Sequence, residues 1–383
     1  MINKTLLLLL FVVTNASAQK KTEPFESQKL NETRDISIIL PASYESSPNK
    51  KYPLLLLLDG EYLVDPFAGI LSYTNYWDDL PEVIIVGIHQ NKNNQRVYDT
   101  QTSSETGLPD ESGNKFFEFI SMELLPRLEK KYRVAPFKII AGHDRTAGFL
   151  NFFLYKDQPA FNAYISFSPE LPDGMDAQLP EMLSAVKKPV FYYLATADGD
   201  VGKLKKSTKA LDEKIKAVKN TNLRYAYDDF KGASHYSLVP HGIPSAIYHI
   251  FSSYQPITSA EYQSKLVTLP SDYVRYLEDR YSTIEKDLGV SMTIRLNDFK
   301  AVETAIVKNG KYEELKELAS LAKKNYPKTI LSEYYMALFY EKTGNFEKAI
   351  KTCMNSYSLN DIGEYTKDFM LEKAENLKRG KTD

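Results

Sequence analysis

Cysteine is almost absent from this 383-residue chain, and the one copy, Cys353, rules out any intramolecular disulfide or multi-cysteine zinc site. Cys353 lies in the apolar-periodic stretch Ala349-Ile350-Lys351-Thr352-Cys353-Met354, which marks it as a small buried hydrophobe rather than a reactive thiol. Blocks of one charge sign are missing too. The 48 basic and 50 acidic residues are mixed along the chain and leave a net charge of -2, so the basic footprint of a nucleic-acid binder is excluded. That balance also gives no long-range steering of a strongly charged ligand. No H-E-x-x-H or comparable metal-ligand spacing occurs. Beyond residue 18 no apolar run is long enough to cross a bilayer. Tryptophan occurs once, whereas tyrosine occurs 27 times, enough aromatic surface to fill a core and to line a groove.

What is present is an ordinary globular composition, 43% apolar and 26% charged, with length for one large domain plus a smaller one. Residues 1–18, MINKTLLLLLFVVTNASA, read as a signal peptide. Lys4 supplies the positive start, residues 6–13 a short apolar run, and Ala16-Ser17-Ala18 the small residues of a cleavage site. No cysteine follows the run, so a lipoprotein is excluded. The expectation is an exported chain, periplasmic or secreted, with no membrane span after cleavage near Gln19.

From residue 34 the pattern is that of an α/β domain, assigned to 19–255. Apolar, β-branched or aromatic runs recur at 36–40, 54–58, 83–88, 137–141, 164–167, 190–194 and 223–227. Continuous runs bounded by turn residues suit strands covered on both faces of a doubly wound, mostly parallel sheet. Amphipathic helices alternate with them. One places Phe117, Ile120, Leu124 and Leu128 on one face, with Pro126 expected to kink or end it. Others cover 204–211 and 243–251. Loops at 60–80, 90–115 and 170–188 are expected to shape the pocket, and ligands bind such sheets beyond the carboxyl ends of the strands. After Tyr254-Gln255-Pro256 the chain turns charged and helical. Within 256–383, Gly310 and Gly344 stand 34 positions apart in similar segments, the tetratricopeptide period. Two copies are fewer than such arrays need for independent stability, so this TPR-like tail is expected to pack on the large domain or on a protein partner.

The segment Lys138-Ile139-Ile140-Ala141-Gly142-His143-Asp144-Arg145-Thr146-Ala147-Gly148 reads as strand, small-residue turn and helix start. That is the setting of a nucleophile elbow, G-x-S-x-G, but the central residue is Asp144 and Thr146 stands at the second glycine. Around it, Tyr52-Pro53 and the leucine run to Asp59-Gly60, then Ile84 to Ile88 followed by Arg96 and Asp99, fall in a recognisable order. Glu123-Leu124-Leu125-Pro126, Phe161 to Pro169 and Ala233-Ser234-His235-Tyr236-Ser237 complete it. Over some 220 residues this order resembles the esterase family of α/β-hydrolases, which includes enterochelin-esterase-like and S-formylglutathione-hydrolase-like enzymes.

The resemblance implies that Asp144 occupies the serine position and His235 is the base. It implies an acid in Ala197-Asp198-Gly199-Asp200, with Asp200 preferred to Asp198. The oxyanion donors would be the backbone N–H of Arg145 and one near Gly60 or Glu61. It implies no cofactor and no metal, and a small-molecule or ester-type ligand.

Serine attacks as histidine takes its proton, whereas a carboxylate has none to give, so ordinary serine-esterase chemistry is not expected. Three readings remain open. In a pseudoenzyme the pocket binds a ligand and an Asp144–His235 ion pair is structural. In an altered hydrolase Asp144, His235 and Asp200 act together, as nucleophile or by orienting water, although Arg145 would neutralise the carboxylate and Thr146 would crowd the turn. The third, a metal site from His143, Asp144 and His235 with His241 nearby, lacks any known ligand spacing. Asp59 and Asp99 read as loop-fixing acids, His143 as a packed neighbour.

Overall fold

A computed structural model describes residues 20–156 and 158–380. The leader at residues 1–18 lies outside the described residues. The chain divides into two compact units at Ile250/Phe251.

The first unit is built on one sheet in the order β1-β2-β4-β3-β5-β6-β7-β8. Its strands are β1 (Lys21–Ser27), β2 (Glu32–Ile39), β3 (Tyr52–Leu57), β4 (Ile84–Ile88), β5 (Val134–His143), β6 (Ala163–Phe167), β7 (Val190–Gly199) and β8 (Leu223–Ser234). The β1–β2 and β2–β4 pairs are antiparallel and the other pairs parallel. Helices α1 (Gly60–Tyr76), α2 (Gln95–Asp99), α3 (Glu111–Glu118), α4 (Leu125–Lys131), α5 (Arg145–Phe149), α6 (Met175–Ala185), α7 (Gly202–Lys216) and α8 (Leu238–Ile250) connect and flank them. All of β3, β4 and β6 is buried, as continuous apolar runs under helices on both faces require. The mostly parallel α/β-hydrolase sheet expected from the sequence is therefore present.

Three local expectations are corrected. The span 60–80 is not a loop: α1 occupies most of it, burying Leu63, Val64, Phe67 and Leu71 at helical spacing. Helices α3 and α6 likewise take up part of 90–115 and 170–188. The third concerns the form of the irregularity expected at Pro126: the α-helix is interrupted by a π-helical stretch, Phe119–Leu124, and Pro126 sits in the first turn of α4, which resumes after it.

The elements of the second unit, among the described residues, are helices joined by short loops with two isolated β-bridges: α9 (Ser259–Ser264), α10 (Tyr273–Leu288), α11 (Leu296–Lys308), α12 (Glu314–Asn325), α13 (Leu331–Lys342), α14 (Phe346–Asn355) and α15 (Lys367–Lys378). Gly310 turns α11 into α12 and Gly344 turns α13 towards α14, both at positive φ, 66° and 75°. The 34-residue spacing thus marks two successive hairpins. They are flanked by α10 and α15, whose Leu277, Ile284, Met370 and Leu377 are buried, so the unit has a core of its own. Cys353 is 1% exposed within it. The segment after Ile250 belongs to this unit, since Arg280 and Arg295 donate to the carbonyls of Gln255 and Tyr254.

Candidate active site at the carboxyl end of the sheet

Strand β5 ends at His143 and α5 begins at Arg145, leaving Asp144 alone in the turn with φ 60° and ψ -117°. A non-glycine residue in that region costs on the order of 1–3 kcal/mol and persists because its surroundings fix it. Asp144 N donates to Phe167 O of β6, and Asp144 O accepts from Gly148 N and Glu170 N, at 2.9, 3.1 and 3.0 Å. Gly142 is required: a Cβ there would lie 2.7 Å from the Thr146 carbonyl carbon. So is Gly148, whose Cβ would meet Glu170 O at 1.9 Å.

The second-glycine position itself is not crowded. Thr146 is fully buried, and its hydroxyl donates to Asp59 Oδ2 at 2.6 Å while accepting from His143 N at 3.0 Å. The threonine therefore staples the elbow to the loop after β3.

A cavity of about 290 Å³ opens over the turn, lined by Tyr62, Arg96, His143, Asp144, His235 and Tyr236. His235 Nδ1 lies 2.7 Å from Asp200 Oδ1. The Asp200 side chain is fully buried, and burial pushes its pKa up. Hydrogen bonds from Thr196, Ser168, His235 and the Val201 N–H outweigh that and hold it below the ordinary aspartate value. Against an ionised carboxylate, His235 Nδ1 carries the proton and Nε2 is left as an acceptor. Asp198 is not part of this arrangement: it is exposed at the end of β7 and accepts from Gly232 N at 2.9 Å, so it fixes β8.

Asp144 does not pair with His235. Its partner is Arg96 of α2, whose Nη1 lies 3.3 Å from Oδ2, and no second protein partner of the Asp144 carboxylate is found among the described residues. Arg145 does not neutralise it either. That guanidinium reaches Glu170 and Thr100 instead, with Nη1 3.6 Å from the Glu170 carboxylate and Nε 3.3 Å from Thr100 Oγ1.

Arg96 belongs chiefly to Asp59. Nε donates to Oδ1 at 2.6 Å, Nη2 to Oδ2 at 3.3 Å, and Nη2 also to His143 O at 2.8 Å. Burial opposes the arginine charge, but Asp59 more than offsets this and its pKa is raised. Asp59, at φ 53°, also accepts from Tyr62, whose pKa is pushed up by burial and by that carboxylate. Its backbone N–H donates to Gln90 Oε1, and Gln90 Nε2 donates to Asp99, which is clamped by the buried Arg34. Asp59 and Asp99 thus fix the loops.

The expected oxyanion donors fall on the turns flanking the site, Arg145 at the first residue of α5 and Gly60 and Glu61 at the start of α1, and none lines the cavity. The Glu61 side chain braces the β4 end instead, accepting from Gln90 N and Asn91 N. Among the described residues no three His, Cys, Asp or Glu side chains are grouped to hold a metal ion, and the His241 ring lies tilted against Phe230 with centroids 6.0 Å apart.

Sequence reasoning missed Tyr62, Tyr236, Ser168 and the pairing of Arg96 with Asp144. It placed His143 as a neighbour, and the structure gives that neighbour a position. His143 is 3% exposed, 4.4 Å from the His235 ring centroid, and its Nε2 lies 3.0 Å from His235 O. A carbonyl only accepts, so Nε2 carries the proton.

Burial, aided by the neighbouring His235, depresses the His143 pKa to about 4. An unfolded histidine protonates near ~6.5, so folding stability from this neutral imidazole is complete above that pH and is lost as pH falls towards about 4. The loss over that window should reach about 3 kcal/mol. Urea unfolding at about pH 7.5 and about pH 4.5 should show it, and His143→Gln should remove that share of the pH slope. An unchanged slope in the variant would assign the acid lability to other groups.

Four likenesses bear on the fold. The family model described as "Putative esterase" matches residues 27–175. An uncharacterised protein from Capnocytophaga ochracea is 31% identical over 94% of this chain and 100% of its own, with a TM-score of 0.84, so the likeness runs through both units. An IroE-like serine hydrolase from Shewanella oneidensis, 22% identical over 80% of this chain and 99% of its own at a TM-score of 0.59, shares the fold. The BES protein from Bacillus cereus does so too, at 20% identity over 64% and 98% with a TM-score of 0.52. No curated protein matches the chain. Strand order, elbow, histidine–aspartate pair and these matches together place the chain in the esterase family of α/β-hydrolases.

Proposed function

We propose that this chain is an exported, ligand-binding member of the esterase family that lacks serine-esterase activity. The observation that carries the reading is the state of Asp144. The elbow holds it where the fold presents its nucleophile, yet its carboxylate faces Arg96 at 3.3 Å and makes no contact with His235. A carboxylate held by a guanidinium offers His235 no proton to take, and attack on an ester would form an anhydride from a weak nucleophile. What persists is the cavity, with polar groups converging on a small ligand. The leader-like sequence at 1–18 supports export. The helical unit is assigned a protein partner, supported by Met354, Tyr357, Phe346 and Phe369 exposed on its last helices.

A nucleophile-directed organophosphonate tests the reading. The purified protein should show no covalent adduct by intact-mass spectrometry, whereas an adduct that disappears in His235→Ala would overturn it. The undamaged His235–Asp200 pair at 2.7 Å favours one second reading, in which His235 activates water directly. That reading requires ester turnover without any adduct.

A further inference from the structure

We infer that the ligand of this cavity is a small organic cation bearing N–H donors, such as a primary ammonium group. The inference rests on the ligand-binding reading above and names the class of molecule bound. Three carboxylates, Asp59, Asp144 and Asp200, stand against one guanidinium, Arg96, in a network joined through His143, which accepts from Arg96 and donates to the His235 carbonyl. The network stays negative whether His235 is neutral or protonated. With serine at position 144 the excess would shrink by one charge, so the aspartate deepens the negative charge of the site.

The hydrogen-bonding surface points the same way. Asp144 Oδ2 has one long contact to Arg96, and Oδ1 has no protein partner among the described residues. His235 spends its Nδ1 proton on Asp200 and turns an acceptor, Nε2, to the cavity. Tyr62 spends its hydroxyl proton on Asp59, and His143 its Nε2 proton on a carbonyl. Four of the five guanidinium N–H groups of Arg96 are engaged. The cavity therefore offers acceptors in excess of donors. Tyr236, 79% exposed at the rim, adds an aromatic face of the kind that attracts cations.

Both partners of the Arg96–Asp144 pair are about a quarter exposed, so it is weak and open to a competing cation at the carboxylate. A ligand ammonium would donate to Asp144 Oδ1 and His235 Nε2 while its substituent lies against Tyr236.

Calorimetric titration of the purified protein in chelator-containing buffer tests this, with butylammonium, butyltrimethylammonium, butyrate and butanol as probes. Butylammonium is expected to bind at least about tenfold tighter than the other three, and Asp144→Asn to weaken it at least about tenfold. Asp144→Ser gives a second neutral side chain should Asn impair folding, and the denaturation midpoint of each variant is checked first. Preferred binding of butyrate would put Arg96 in charge of recognition and overturn the inference. Equal binding of the quaternary ammonium, or unchanged affinity in both variants, would do so too. Ester turnover by the wild type would sink the non-esterase reading alone. Absent ammonium binding without turnover would sink this inference alone.

Discussion

Replacing Asp144 by serine is expected to create His235-dependent hydrolysis of short activated esters, about 10³-fold or more above the wild-type rate. Most of what a serine needs is in place. The turn already carries a non-glycine residue at φ 60°, so serine adds no backbone strain. His235 is oriented by Asp200 at 2.7 Å in the tautomer that leaves Nε2 free to take a proton. Arg96 keeps its contacts to Asp59 and His143 O when the Asp144 carboxylate is gone. Adding His235→Ala to the serine variant should return the rate to background. An inert serine variant with wild-type stability would mean that Nε2 no longer addresses position 144.

Removing the Asp59 carboxylate is expected to be the most damaging single change at the site, about 3–5 kcal/mol for Asp59→Ala. That side chain is 2% exposed and accepts from Arg96, Thr146 and Tyr62 together. Its loss leaves the half-buried guanidinium with only Asp144 and the His143 carbonyl, and the fully buried Thr146 hydroxyl with only that same carbonyl, at 2.9 Å. Asp144→Ala, by contrast, breaks one long and partly exposed pair and should cost no more than about 1 kcal/mol. Urea unfolding of both variants measures the ratio. Comparable losses would show that Arg96 is held as firmly by Asp144 as by Asp59, contrary to the distances.

How much of this was legible in the sequence depended on the range of the interaction. The parallel strands could be read because each is buried on both faces and so is apolar throughout, as in the leucines of β3. Strand β1 escaped, since KTEPFES is an antiparallel edge that buries only Phe25 and Ser27. Helix α1 escaped because its aromatic and small residues, with Pro66 inside, resemble a loop. Gly310 and Gly344 announced their hairpins because each occupies a left-handed turn that its spacing marks.

At the site, the family resemblance pointed to Asp144, His235 and Asp200, and His235 and Asp200 stand 2.7 Å apart beside the cavity that Asp144 lines. The partner of Asp144 could not be read in this way. Adjacency suggested Arg145, but a side chain one residue into a helix leaves the turn in its own direction. Arg96, 48 positions away, is brought in by the loop after β4. The Thr146–Asp59 bond, across 87 positions, depends likewise on the β3–β5 pairing and left no local trace. It also explains why threonine is tolerated where the motif expects glycine.

The measurement that bears most directly on this account is the turnover of a panel of short activated esters by the wild-type protein, with His235→Ala beside it. The account predicts the same background rate for both, because the Asp144 carboxylate has no proton for His235 to take and is too weak a nucleophile to replace serine. Wild-type turnover that His235→Ala abolishes would contradict it and make the cavity a working hydrolase site.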